Sequence, residues 1–147
     1  DRYLLLRRAQ TKDHGAGSWE CVTGRVDQGE GFLDALRREV REELGVDVTP
    51  AFFVGTTHFY RGAPQPENEL LGVVFACTVA DPAAIRLSHE HDAHRWLTAA
   101  EAAAFLDQAQ PAARWLRTVI ARAAALRRLH PPALLAYWQT HGFETDE

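Results

Sequence analysis

Between Phe32 and Leu44 the apolar residues Leu33, Leu36, Val40 and Leu44 recur at spacings of three and four. At about 100° of rotation per residue they fall within roughly 60° of one another, which predicts a helix with one buried face. Gly45 follows where a helix end needs a residue that can turn left-handed. Glu39, Glu42 and Glu43 share a second sector, about 100° wide, beside the buried stripe. Like charges at i, i+3 and i+4 repel and weaken a helix by roughly 0.2–0.5 kcal/mol per pair. Two explanations are open. The glutamates pair with Arg37, Arg38 and Arg41 on a solvated surface, or they bind a divalent cation, since hard oxygen ligands suit Mg²⁺ or Mn²⁺. Surface pairing alone gives Glu30 and the flanking glycines no role.

Around this helix the chain alternates strands and helices. Tyr3 to Arg8 reads as a strand, Thr11 to Ser18 as a polar loop, and Trp19 to Val26 as a second strand. Asp27 to Gly31 is a turn. Phe52 to Tyr60 and Leu70 to Val79 read as strands, joined by a loop holding Pro64 and Pro66. A short strand lies near Trp96, and Thr98 with Glu101 forms a capping box for the helix after it. Pro111 opens a longer helix with Trp115, Val119, Ala123 and Leu126 on one face, and His130-Pro131-Pro132 ends it. The order predicts an α/β fold: a mixed sheet with helices on both faces, in one domain over 1–147.

A net charge of −4 argues against a nucleic-acid partner. Arg114, Arg117, Arg122, Arg127 and Arg128 crowd one stretch, which reads as a solvated helix face. The apolar runs are too short to cross a membrane. Cys21 and Cys77 both sit in apolar strand-like stretches and read as buried free thiols, consistent with the cytoplasm. The chain opens on Asp1 and holds no methionine, so further residues are expected upstream.

The segment Gly24 to Val46, GRVDQGEGFLDALRREVREELGV, resembles the Nudix box, GX5EX7REUXEEXGU, with U a bulky aliphatic residue. Gly24, Glu30, Arg38-Glu39, Val40, Glu42-Glu43, Gly45 and Val46 fill every fixed position. The resemblance implies an α/β/α sandwich and hydrolysis of a phosphoanhydride in a nucleotide-type diphosphate. It implies Mg²⁺, with Mn²⁺ as the alternative, held by Glu39 and Glu43. Glu42 is then a further ligand or a hydrogen-bonded neighbour, and the Gly24 carbonyl adds an oxygen. Arg38 orients a glutamate of the box, and Glu30 supports the loop.

Outside the box, Trp19, Val22, Thr23 and Gly24 form a W-x-x-V-T-G lead-in, and Glu90-His91 precede Trp96-Leu97. This set is similar to the bacterial dihydroneopterin triphosphate (and dATP) pyrophosphohydrolase branch. By that likeness Glu90 is a further metal ligand or the general base. Dinucleoside polyphosphate hydrolases share the Glu-His feature and are the alternative. A silent ligand-binding module of the same fold would be expected to show a broken box. An isoprenoid diphosphate isomerase would need a catalytic cysteine that neither Cys21 nor Cys77 evidently supplies. His89, His91 and His94 raise a zinc site, but they sit in loop and strand, and exposed histidines beside a metal-bound glutamate are the plainer reading. Arg7 or Arg8 is a phosphate contact or a strand-end charge. Trp19, Phe59 and Tyr60 stack on a base or pack in the core. A homodimer is left open.

Overall fold

Leu5 and Leu6 are neighbours on one strand, and both are fully buried. Successive strand side chains point to opposite faces, so both faces of this strand must be covered. The computed structural model, which describes residues 1–12 and 14–145, shows how. Leu5 packs with Ala102, Leu106, Ala113, Leu116 and Ile120 on one side. Leu6 packs with Val40, Leu44 and Ile85 on the other. The strand is thus the filling of an α/β/α sandwich, as the residue pattern predicts.

The elements run β1 (Tyr3–Arg8), β2 (Trp19–Glu20), α1 (Phe32–Leu44), β3 (Val48–Tyr60), β4 (Glu69–Val79), β5 (His91–Leu97), α2 (Ala99–Phe105), α3 (Pro111–Leu129) and α4 (Pro132–His141). One sheet has the order β2-β1-β5, and β3 and β4 form a long antiparallel hairpin. The ladders of β1 with β2 and β5 are antiparallel as well. The helix α1 has the predicted bounds. Its C-cap Gly45 sits at φ 66°, and its N–H donates to the Arg41 carbonyl at 3.0 Å. At the other end Gly31 brings no capping side chain. The Glu144 carboxylate accepts from the Phe32 and Leu33 N–H groups instead, at 2.6 and 3.2 Å.

The capping box of α2 is present. The Glu101 N–H donates to Thr98 Oγ1 at 3.2 Å, and the Thr98 N–H donates to Glu101 Oε2 at 2.7 Å.

Four readings of the sequence need correction. The strand expected over Trp19 to Val26 stops at Glu20. Cys21 and Val22 still alternate between the two cores, but β1 pairs only with Trp19 and Glu20, and a strand needs a hydrogen-bonded neighbour. The buried stripe of α3 is Ala113, Leu116, Ile120 and Ala123, with Trp115 and Leu126 only half-buried on its flank. Trp115 turns its indole N–H to Thr57 Oγ1, at 3.0 Å. Cys77 is exposed and Cys21 half-buried; both are free thiols. The helix α4 was not foreseen, because nothing in its sequence marks an amphipathic stripe; it packs on β3, and Gln139 donates to the Pro50 carbonyl at 2.7 Å.

One connection positions the site. After β4 the chain docks on the C-terminal end of α1. The Arg86 N–H donates to the Leu44 carbonyl at 2.8 Å and the Ser88 N–H to the Glu43 carbonyl at 2.9 Å. The Ala9 N–H then donates to the Glu90 carbonyl at 2.8 Å. Glu90 and His91 are thereby fixed beside the acidic helix.

Candidate active site

The site is built where α1 meets β1, β2 and the start of β5. Alternation along β1 and β2 sends Arg8 and Glu20 toward α1, and Trp19 to the opposite face. Trp19 packs edge-on against Phe105 with ring centres 5.1 Å apart, in the core around Leu5. Partly buried, it packs on the side of the sheet away from α1.

Arg38 organises the outer part. Its Nε and Nη2 donate to Glu30 Oε1 and Oε2 at 2.8 and 2.9 Å, a two-pronged grip. Nη1 donates to Glu39 Oε1 at 2.8 Å, and Nη2 also reaches the Arg25 carbonyl at 2.9 Å. Glu42 stands at the edge, 3.5 Å from Arg38 Nη1 and mostly exposed. Arg38 holds the Glu30 carboxyl well below its ordinary range, at about 2, with help from the Asp27 N–H that Glu30 also accepts. Gly24 lies against Glu39 so closely that any Cβ there would overlap the carboxyl. Only glycine permits this approach.

Glu43 is the inner member. It is 7% exposed, and its Oε2 is buried with no hydrogen-bond partner. Burial, then the nearby charges of Glu20, Glu39 and Glu90, push its carboxyl up to about 8. Glu90 faces the same space. Lys12, 3.0 Å from Glu90 Oε2, holds that carboxyl below its usual range. Four carboxylates therefore repel one another electrostatically around one buried oxygen.

Glu20 and His91 complete the arrangement. Glu20 accepts from Arg8 Nη1 at 3.1 and 3.3 Å, and its Oε1 lies 2.9 Å from His91 Nε2. His91 is buried at 6% exposed, against the expectation of a surface histidine; His89 and His94 are exposed. The three histidines do not form one cluster.

Of the residues expected from sequence, Gly24, Glu30, Arg38, Glu39, Glu43 and Glu90 are brought together, with Arg8 beside them through Glu20. Arg7 pairs instead with Asp92 at 2.6 Å. Tyr60 sits at the end of β3, its ring 5.3 Å from that of His58, and Phe59 is exposed. Sequence reasoning missed Glu20 and Lys12. Glu20 was legible as the lone acid in an apolar strand on the face opposite Trp19.

Among the described residues no three His, Cys, Asp or Glu side chains are placed together so that they could hold a metal ion. The donor set nonetheless fits a hard cation: several carboxylates, one of them desolvated and unpartnered.

A family model described as NUDIX domain matches residues 1–129. The chain belongs to the Nudix family. It is an enzyme, a Nudix hydrolase. Nucleoside triphosphatase NudI of Escherichia coli is 30% identical over 102 residues, 65% of this chain and 72% of that protein. An octanoyltransferase of Myxococcus xanthus is 36% identical over 97 residues, 65% of this chain; the match spans about a quarter of that longer protein, 26%. The solved MutT protein from Methanosarcina mazei Go1 superposes with a TM-score of 0.66 at 26% identity, covering 86% of each chain. No helix of the described residues is long and apolar enough to cross a membrane.

Proposed function

We propose that this Nudix hydrolase, read as one unit over 1–147, cleaves a phosphoanhydride bond in a nucleoside or pterin polyphosphate with the help of Mg²⁺ or Mn²⁺. The observation that carries the reading is the buried, unpartnered Oε2 of Glu43, ringed by the charges of Glu20, Glu39 and Glu90. Such a cluster is unfavourable in itself, and a divalent cation offsets it. Glu39, Glu43, Glu90 and the Gly24 carbonyl would hold the ion, with Glu42 at its outer edge. When bound, the cation would polarise phosphoryl oxygens, let a polyanion enter an acidic cleft and make a bound water more acidic.

The remaining roles belong to the chain. Arg38 fixes Glu39 while Glu30 fixes Arg38, so a carboxylate oxygen is held without reorganisation. Gly24 leaves the room Glu39 occupies. Glu90 faces the helix from another element, and Lys12 keeps it ionised at neutral pH, ready to coordinate or to accept a proton from water. The name of the NudI relative supports a nucleoside triphosphate as substrate. The two free thiols support a reducing compartment such as the cytoplasm.

The test is a panel of nucleoside triphosphates, pterin triphosphates and dinucleoside polyphosphates with added Mg²⁺, the products identified by mass. Release of pyrophosphate or phosphate from at least one class, abolished by chelator, is the expected result. No metal-dependent release from any of them would overturn the reading.

A further inference from the structure

At the buried end of the site two lone-pair atoms face each other. Glu20, held by Arg8, lies with Oε1 2.9 Å from His91 Nε2. A carboxylate paired to arginine only accepts, so in a neutral imidazole the proton sits on Nε2 and Nδ1 carries the lone pair. Nδ1 is buried without a partner. Glu43 Oε2, also buried without a partner, stands 3.8 Å away. That separation is too long for a hydrogen bond. Once Glu43 is ionised, the two acceptors face one another out of water and repel unless a cation lies between them. Donors about 2.0–2.2 Å from one ion can lie up to about 4.4 Å apart, so 3.8 Å suits both on a single ion. The side chains of His91 and Glu43 are only 2% and 9% exposed, so little water competes.

We propose that His91 Nδ1 is a nitrogen ligand of the cation, beside Glu43 Oε2, and that Glu20 is the positioning carboxylate behind the ring. The proposal rests on the reading that these glutamates bind a divalent cation, and makes the site mixed nitrogen and oxygen rather than all oxygen. A carboxylate on the far nitrogen fixes the tautomer and the ring plane and raises the basicity of the ligating nitrogen. An imidazole ligand shifts preference away from Mg²⁺, which favours oxygen, toward transition metals such as Co²⁺.

Pulsed electron paramagnetic resonance on the full chain loaded with Mn²⁺, in a nitrogen-free buffer, reads the ligand directly. Wild type is expected to show coupling to one directly bound ¹⁴N. His89→Gln and His94→Gln keep it, and His91→Gln loses it. Calorimetry with each metal alone gives the second measurement. Both His91→Gln and Glu20→Gln are expected to bind Co²⁺ about ten- to a hundredfold more weakly, with Mg²⁺ affinity changed less than about threefold. If His91→Gln does not fold, the wild-type spectrum and Glu20→Gln decide. Mn²⁺ bound through Glu43 but without nitrogen coupling overturns the proposal and leaves the oxygen site standing. No Mn²⁺ binding, or binding indifferent to Glu43→Gln, overturns the cation reading and the proposal together.

Discussion

Arg38 grips Glu30 with two nitrogens, at 2.8 and 2.9 Å, and with its third holds Glu39 at 2.8 Å. One planar guanidinium thus ties the loop before α1 to a carboxylate on α1. Lysine keeps the charge but cannot make this fork. Arg38→Lys is expected to lower kcat by about tenfold or more with the helix content unchanged by circular dichroism. A kcat within about twofold of wild type would remove Arg38 from the account.

The metal-free protein has a defined pH dependence. Glu43 titrates at about 8 in the folded chain against an ordinary 4.5. Folded protein therefore keeps a proton that the unfolded chain gives up. Its contribution to stability is full below about 4.5 and is lost as pH rises to about 8. Urea titrations in chelator are expected to show stability falling across that window, and Glu43→Gln to flatten the fall. A wild-type profile parallel to that of Glu43→Gln contradicts the burial argument.

Much of this was readable in advance. The bounds of α1, its Gly45 cap and the capping box at Thr98 are local, set by periodicity and by side chains within a turn of one another. The acidic face was legible for the same reason. Which glutamate goes inside was not. The Glu43 side chain is buried beside His91, a residue far from it in sequence. His91 read as exposed because its burial depends on Glu20 from another strand. Trp19 read as a stacking candidate, and only the alternation within an unexpectedly short strand assigns it to the far core.

Thr98→Ala separates fold from function. It removes the acceptor for the Glu101 N–H, far from the glutamates. A loss of about 1 kcal/mol in urea unfolding is expected, with kcat unchanged. A larger effect on kcat than on stability would tie α2 to the site.

Glu90→Gln tests the residue facing α1 from outside the box. It loses only a part-exposed ion pair with Lys12, so stability should move by about 0–1 kcal/mol. As a ligand or base it should cost roughly ten- to ten-thousandfold in kcat. Near-normal kcat together with unchanged metal affinity would return Glu90 to the ordinary surface.

In the function proposed above, one buried glutamate makes this an ion-dependent phosphoanhydride hydrolase. Steady-state turnover of the best substrate from the panel, measured over a Mg²⁺ titration for wild type and Glu43→Gln, tests it most directly. Activity is expected to rise from zero with Mg²⁺ in wild type and to stay about a hundredfold or more lower in Glu43→Gln at saturating metal, with the fold retained. Equal turnover of the two proteins at saturating Mg²⁺, or full wild-type activity in excess chelator, would contradict it.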